Sequence, residues 1–273
     1  MNTGEYSPSG APGRVDRATD KCGHGTRMAG IIGAPKGIDG NTIGVAPKSN
    51  LHIYRAVFNP IIDQTVELLA VIDALLAAGS NPQVNIISMS IGIPPWESDS
   101  PGIDLAVDFA DGNGKLIFAA AGTGTGGFVD PEAFFDVVFP ASHPFTHAVT
   151  GIRTPETYPG PMNVLDRFCE NCVRGEEVEF VVIMQRPENG DFNDPNERTV
   201  PTLGCTDMQL GYSNGSSCAT ATQAGIAALV WAAQGQNATA FTVLTRLISA
   251  SSNTVTPGEN FGFGWVDVNA ATL

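Results

Sequence analysis

Short apolar segments alternate along the chain with segments of helical periodicity, and this alternation restricts the fold more than any other sequence feature. Residues 84–92 (VNIISMSIG) and 115–122 (KLIFAAAG) are apolar runs that end at glycine, with a helical pattern between them. Residues 147–152 and 177–185 have the composition of further strands. Strands that are apolar on both faces and separated by helices are typical of parallel sheets. The sequence therefore predicts an α/β fold with a mostly parallel central sheet and helices on both faces.

Helices are predicted wherever apolar residues recur at intervals of three and four. The predicted helices are residues 24–32, 65–79, a stretch near 103–110, 216–234 and a stretch near 241–248. Residues 50–57 alternate like a strand, whereas residues 1–23 are polar and rich in turn formers, which indicates a loop.

Composition limits the domain count and the class of partner. The chain has 273 residues, of which 42% are hydrophobic, which is enough for one large core, so we expect a single domain over residues 1–273. The longest apolar run, residues 224–233, is far shorter than the roughly 20 residues needed to cross a bilayer, so we expect no membrane span. A net charge of −14 argues against nucleic-acid binding. The acidic balance and the many glycines and prolines favour a secreted, extracellular protein, although residue 1 is not followed by a secretory signal and the chain resembles a piece of a longer precursor.

Five cysteines leave at least one outside any set of disulfides within the chain. Cys169 and Cys172 form a C-x-x-C pair, but no second such pair and no spaced histidine pair completes a zinc site. A disulfide or two thiols is therefore favoured over a metal site, and the state of Cys169, Cys172 and Cys205 stays open.

The loops that follow parallel strands are where such sheets bind ligands. Small polar residues flanked by glycine occur in three of them, at residues 88–92, 122–126 and 215–218. A serine at the start of the last long helix either caps the helix or acts as a nucleophile near the positive helix end. His24 lies between two glycines at another predicted helix start, and these glycines leave its imidazole open to a substrate. The presence of such a histidine favours the role of nucleophile over the role of helix cap for the serine.

Several segments together resemble the subtilisin-like serine peptidases, in that family's order. The most specific are GHGTRMAG (residues 23–30) and GSSCATATQAGIAALV (residues 215–230), with NIISMSIG and LIFAAAG between them and GFGWVDVNAA at the end. The resemblance implies a three-layer fold and a polypeptide substrate. It implies Ser217 as nucleophile, His24 as general base, and Ser90, Ile91 and Gly92 as a strand that pairs with the substrate backbone.

Thr123 stands where the family usually has the asparagine that donates a hydrogen bond to the oxyanion. A threonine hydroxyl can also donate, so Thr123 is the candidate for that role.

The aspartate of the family's catalytic triad has no clear counterpart. Either Asn2 in Asn2-Thr3-Gly4 replaces it, although the interval to His24 is shorter than usual, or Met1 lies downstream of the aspartate and of the first core strand. The second explanation is favoured. Asp16 and Asp20 precede His24, but we expect them to be loop charges, with Asp20 fixing the turn into the helix.

The remaining expectations concern cofactors, assembly and the alternative function. No cofactor and no metal is expected to be required for catalysis; residues 191–197 (DFNDPNE) could hold a structural calcium, but a solvated acidic loop is favoured. His52, His143 and His147 are expected to be structural, and the chain is expected to be a monomer. The alternative to a serine endopeptidase is a catalytically inactive protein of the same fold that binds peptides.

Overall fold

The computed structural model describes residues 5–6, 20, 23–36, 43–57, 65–93, 101–123, 137–153, 172–185, 200–203, 210–213, 215–253 and 261–273. Its strands are β1 (Glu5–Tyr6), β2 (Ile53–Tyr54), β3 (Ile86–Met89), β4 (Leu116–Ala120), β5 (His147–Arg153), β6 (Val178–Gln185), β7 (Val200–Leu203) and β8 (Leu210–Ser213). Its α-helices are α1 (His24–Gly33), α2 (Thr65–Ser80), α3 (Pro101–Gly112), α4 (Ser216–Gln234), α5 (Ala240–Ser249) and α6 (Val268–Thr272).

The central sheet has the order β3-β4-β5-β6 and all its described pairings are parallel. Helices α2 and α3 lie between successive strands along the chain, as the alternation of apolar and helical segments predicts. The prediction of an α/β fold with a mostly parallel sheet is therefore confirmed.

Side chains of β4 divide between the two faces of the sheet. Leu116 and Phe118 join a core built with α1, α4 and α5, whereas Ile117 and Ala119 join a second core built with α2 and α3. All five residues of β4 are buried. Because successive side chains of a strand point to opposite faces, a strand that is apolar at every position needs a helical layer on each side. The three layers are the result.

Helix positions agree closely with the sequence-based prediction, while the short strands do not. The predicted strand over residues 50–57 is reduced to the two residues of β2, and β1 lies in a region predicted as loop. β1 and β2 pair in parallel, and β7 pairs with β8 in an antiparallel ribbon that was not predicted. Strands of two to four residues are too short to show a reliable period of two, which explains these misses.

None of the helices in the described part of the chain is both long and apolar enough to cross a bilayer.

Candidate active site

Asp20 determines how the chain enters α1. Its Oδ1 accepts a hydrogen bond from the N–H of Gly23 and its Oδ2 accepts one from the N–H of Thr26, both at 2.7 Å. Gly23 has a φ of 80°, a conformation that glycine adopts without steric cost. The carboxylate thus satisfies N–H groups at the start of the helix, as expected for a residue that fixes this turn.

His24 is the first residue of α1 and is half-buried. Desolvation lowers the pKa of His24 below its usual value of 6.5, the charge of Arg27 lowers this pKa further, and the charge of Asp20 acts in the opposite direction. Burial and a nearby cation both disfavour the imidazolium ion. The environment therefore favours the neutral imidazole, which is the form that accepts a proton.

Ser217 lies in the first turn of α4, but neither Ser217 nor Ser216 is the cap of that helix. The N-cap position is taken by Gly215, with a φ of 92° and no capping side chain of its own. A Cβ atom on Gly215 would lie 2.8 Å from Oγ1 of Thr123. Glycine is therefore required here both by the backbone conformation and by the close approach of Thr123.

Thr123 and Ser216 form a hydroxyl pair that joins the end of β4 to the start of α4. Oγ1 of Thr123 accepts a hydrogen bond from the N–H of Ser216 at 3.0 Å and lies 2.9 Å from Oγ of Ser216. Oγ of Ser216 in turn accepts the N–H of Gly122 at 3.1 Å. Ser216 is buried, whereas Thr123 is exposed. One hydroxyl of the pair is thus fixed inside the protein and the other meets solvent.

Ser90 connects the end of β3 with Ser217. Its hydroxyl donates a hydrogen bond of 2.9 Å to the main-chain carbonyl of Ser217, although the two residues are 127 positions apart. Ile91 and Gly92 follow, both half-buried, and Ile93 forms an antiparallel bridge with Phe139. His24, Ser90 and Ile91 line the same cavity. The structure therefore links the end of β3 directly to the start of α4, and His24 lines a cavity that the end of β3 also lines.

Other residues singled out from the sequence lie outside the described part of the chain. These are Asn2, Asp16, Cys169, Cys205 and the acidic loop over residues 191–197. Within the described ranges, no group of three or more His, Cys, Asp or Glu side chains has the arrangement of a metal site.

Sequence reasoning missed the partners of two histidines. His143 Nε2 lies 3.7 Å from Asp104 and 3.5 Å from Asp108, and His147 Nδ1 lies 2.8 Å from Glu179. The i, i+4 spacing of the two aspartates on a predicted helix is a signal that could have shown one charged face. Cys172 is disulfide-bonded, which is one of the states that the sequence left open, and Cys218 carries a buried thiol inside the core.

Comparison with known proteins identifies serine proteases that are similar to this chain. The chain is 29% identical over 218 residues, 80% of its length, to the major intracellular serine protease of Bacillus subtilis (strain 168), of which the match covers 58%. It is 30% identical over 164 residues, 59% of its length, to the minor extracellular protease Epr of the same organism, of which 21% is covered. The chain thus spans little more than half of one curated relative and about a fifth of the other.

Structural comparison supports the same fold. The crystal structure of a lanthipeptide protease superimposes with a TM-score of 0.71 and 19% identity, over 100% of this chain and 80% of that protein. The sequence profile described as the subtilase family matches residues 5–266, nearly the whole chain. The chain therefore belongs to the subtilase family.

Proposed function

We propose that this chain is the core of a subtilisin-like serine endopeptidase in which Ser217 is the nucleophile and His24 the general base. Oγ of Ser217 attacks the carbonyl carbon of the scissile peptide bond while His24 takes the hydroxyl proton and passes it to the leaving amine. Water then releases the acyl group from Ser217 by the reverse sequence of proton transfers. Ser90, Ile91 and Gly92 hold the substrate backbone as an added strand.

Thr123 and the N–H of Ser217 bind the oxyanion in this proposal. Two proton arrangements fit the pair formed by Thr123 and Ser216, since either hydroxyl can donate to the other. When Ser216 donates, Oγ1 of Thr123 accepts both from that hydroxyl and from the N–H of Ser216, and its own proton is left to donate to the substrate. The exposure of Thr123 allows a substrate oxygen to reach it.

The observation that carries the proposal is the junction at the start of α4. Ser90 is hydrogen-bonded to the main chain of Ser217, and Thr123 is hydrogen-bonded to Ser216. Hydrogen bonds therefore link the ends of β3 and β4 to the segment that contains the proposed nucleophile. Three segments that are far apart in sequence are thus in contact at the start of α4, which supports a site where a scissile bond, a nucleophile and an oxyanion donor lie close together.

A fluorophosphonate probe tests the assignment, because it forms a covalent bond with an activated serine. We expect the folded chain to be labelled and the Ser217→Ala variant not to be labelled. Ser216→Ala is the matched control, since it removes the neighbouring hydroxyl and leaves the nucleophile, so labelling persists at a lower rate. Incubations must be long, because no counterpart of the triad aspartate is assigned here, and replacing that aspartate in another serine protease lowers kcat by about 10⁴-fold. Labelling of Ser217→Ala, or none in the folded wild type, would refute the proposal.

A second candidate function is peptide binding without catalysis, and one observation favours it. Asp20, four residues before His24, has both carboxylate oxygens engaged by backbone N–H groups at the start of α1. This engagement suits a helix cap better than a partner that orients an imidazole. A folded chain that binds extended peptides but never reacts with fluorophosphonate is the outcome that this alternative predicts.

Three further features belong to the proposal. We infer one peptidase domain over residues 1–273, a monomeric state, and catalysis that needs no cofactor. Secretion also stays a prediction, since the relatives compared above are named intracellular in one case and extracellular in the other.

A further inference from the structure

Residues 172–173 lie beside the end of β4. Cys172 forms an antiparallel bridge with Thr123, and the N–H of Val173 donates a hydrogen bond of 3.0 Å to the carbonyl of Gly122. Thr123 is the candidate oxyanion donor, and Gly122 is the residue directly before it. The main chain that carries this candidate donor is therefore paired with a segment from a distant part of the sequence.

Gly122 has a main-chain conformation that depends on its neighbours. Its φ is 126°, a value that favours glycine, and a Cβ atom there would lie 2.8 Å from Cγ2 of Val173. Glycine loses more conformational freedom on folding than any other residue. The direction in which the chain leaves β4 towards Thr123 therefore depends on contacts from adjacent segments. The hydrogen bond and the close packing of Val173 are two of these contacts.

Two bonds hold residues 172–173 in place. Cys172 is buried and disulfide-bonded, which fixes it covalently. Oγ1 of Thr150, a fully buried residue of β5, donates a hydrogen bond of 2.5 Å to the carbonyl of Val173. Because β5 is the neighbour of β4 in the central sheet, this hydrogen bond fixes Val173 relative to the sheet. The covalent bond and the hydrogen bond can be removed separately.

The exact position of Thr123 matters because an oxyanion donor acts over a narrow range of distances. A donor is effective at about 2.7–3.1 Å from the oxyanion, and a displacement of about 1 Å can slow a reaction about 10²-fold. The side chain of Thr123 is held by its hydrogen bonds with Ser216, and its main chain is held by the bridge to Cys172. Residues 172–173 therefore help to determine where the Thr123 hydroxyl lies.

We propose that Cys172, through its disulfide bond, and Thr150, through its hydrogen bond to Val173, are positioning residues for Thr123, so that the catalytic rate depends on the redox state of Cys172. This inference rests on the oxyanion role proposed above for Thr123. A dithiol such as dithiothreitol breaks the S–S bond by thiol–disulfide exchange. Cys172 and its partner cysteine each gain one electron and one proton, and the dithiol becomes a cyclic disulfide. Residues 172–173 then lose their covalent anchor, and Thr123 loses its fixed position.

The first test compares the oxidised wild type with the dithiothreitol-treated wild type in the hydrolysis of a peptide p-nitroanilide. We expect reduction to lower kcat by about tenfold to 10²-fold and to leave KM within about twofold, because substrate binding along residues 90–92 does not involve Cys172. Cys172→Ser, measured without reductant, should show the same loss of kcat and no further response to dithiothreitol. An unchanged kcat in both experiments would overturn the proposal.

Thr150→Val tests the second bond while the disulfide stays intact. Removing the hydroxyl releases the carbonyl of Val173 from β5, so kcat should again fall while KM changes little. Thr150→Ser keeps the hydroxyl and is the matched control, with a kcat close to that of the wild type. Equal losses in Thr150→Val and Thr150→Ser would overturn the positioning role of the Thr150 hydroxyl.

Thr123→Val is the background that shows whether the effect passes through Thr123. In this variant, reduction of the disulfide should cause little further loss of kcat, because the hydroxyl that it positions is already absent. A loss as large as that of the wild type would show that reduction acts elsewhere and would overturn the proposal. Failure of the proposed function is a separate outcome, since it appears as a folded, oxidised wild type that does not react with fluorophosphonate.

Hydrogen exchange measured by mass spectrometry distinguishes a local change from global unfolding. We expect reduction to speed exchange in the peptide that contains Val173, while β4 stays protected. Loss of protection in both at once would mean that the disulfide supports the whole fold, and this result would overturn a local positioning role for Cys172.

Discussion

His24 lies in an environment that keeps its imidazole neutral, and this environment affects how the rate of fluorophosphonate labelling depends on pH. Desolvation is the largest cause of its lowered pKa, followed by the charge of Arg27. Because a general base must be unprotonated, the acid limb of the fluorophosphonate labelling rate should lie below the ordinary histidine pKa of 6.5. Labelling rates measured across this range give the midpoint directly. A midpoint at or above 6.5 would contradict the described environment of His24.

Two substitutions in α1 and its cap shift this midpoint in opposite directions. Arg27→Gln removes a charge that lowers the pKa of His24, so the acid limb should move to higher pH. Asp20→Asn removes a charge that raises it, so the limb should move to lower pH. The lowered pKa of His24 also affects stability. Because the folded state disfavours protonation of His24, the free energy of unfolding is highest above pH 6.5 and decreases as the pH falls through the folded pKa.

The proposed role of the Thr123 hydroxyl as an oxyanion donor can be tested by an isosteric substitution. Thr123→Val keeps the shape of the side chain and removes the proposed oxyanion donor, so turnover of a peptide substrate should fall by about 10²-fold to 10³-fold with little change in KM. Thr123→Ser keeps the hydroxyl and is the matched control. Steady-state kinetics of both variants separate kcat from KM. Equal loss in the two variants would mean that the hydroxyl is not the group that acts.

Helix α4 carries a buried polar group that its packing does not explain. The side chain of Gln223 is fully buried, and its amide oxygen and nitrogen have no hydrogen-bond partner among the described residues. It borders a small cavity of about 160 Å³ that Ile226 and Val266 also line. An unsatisfied buried amide destabilises the folded state by about 1–3 kcal/mol.

Replacing Gln223 with an apolar residue of similar size should therefore stabilise the protein. We expect Gln223→Leu to raise the free energy of unfolding by about 1 kcal/mol in a urea titration. The control is Gln234→Leu at the end of the same helix, where the amide bonds to Thr242 and its loss should lower stability. A loss of stability in Gln223→Leu would show that the amide has a partner in solution, such as a water in the adjacent cavity.

At the scale of the whole molecule, stability is expected to be highest at the centre of the sheet. β4 is buried at every position and pairs on both sides, with β3 and β5, whereas β1 and β2 share only two residue pairs. Amides of β4 should exchange hydrogen only through global unfolding, and those of β2 should exchange much faster. Hydrogen exchange followed by mass spectrometry checks this. Similar protection of β2 and β4 would contradict it.

The length of each element explains why the sequence predicted some elements and not others. Helices of ten or more residues carry several turns of apolar periodicity, so the starts of α1, α2 and α4 are placed at the observed residues. The ribbon of β7 and β8 depends on pairing between segments that are individually too short to be recognised, and one of them contains Pro201. Pairing partners are a tertiary property, so local patterns do not reveal them.

The sequence by itself determined the layered α/β architecture, the family and the candidates His24, Ser217 and Thr123, because these depend on local periodicity and on motifs of a few residues. Only the tertiary structure decided that Ser216 pairs with Thr123, that Ser90 donates a hydrogen bond to the main chain of Ser217, and that the end of β3 lines a cavity. The physical reason is that hydrogen bonds between distant segments, and the space left between layers, arise only when the chain is packed. A hydroxyl or a carboxylate looks the same in the sequence whether it meets solvent, a helix end or another side chain.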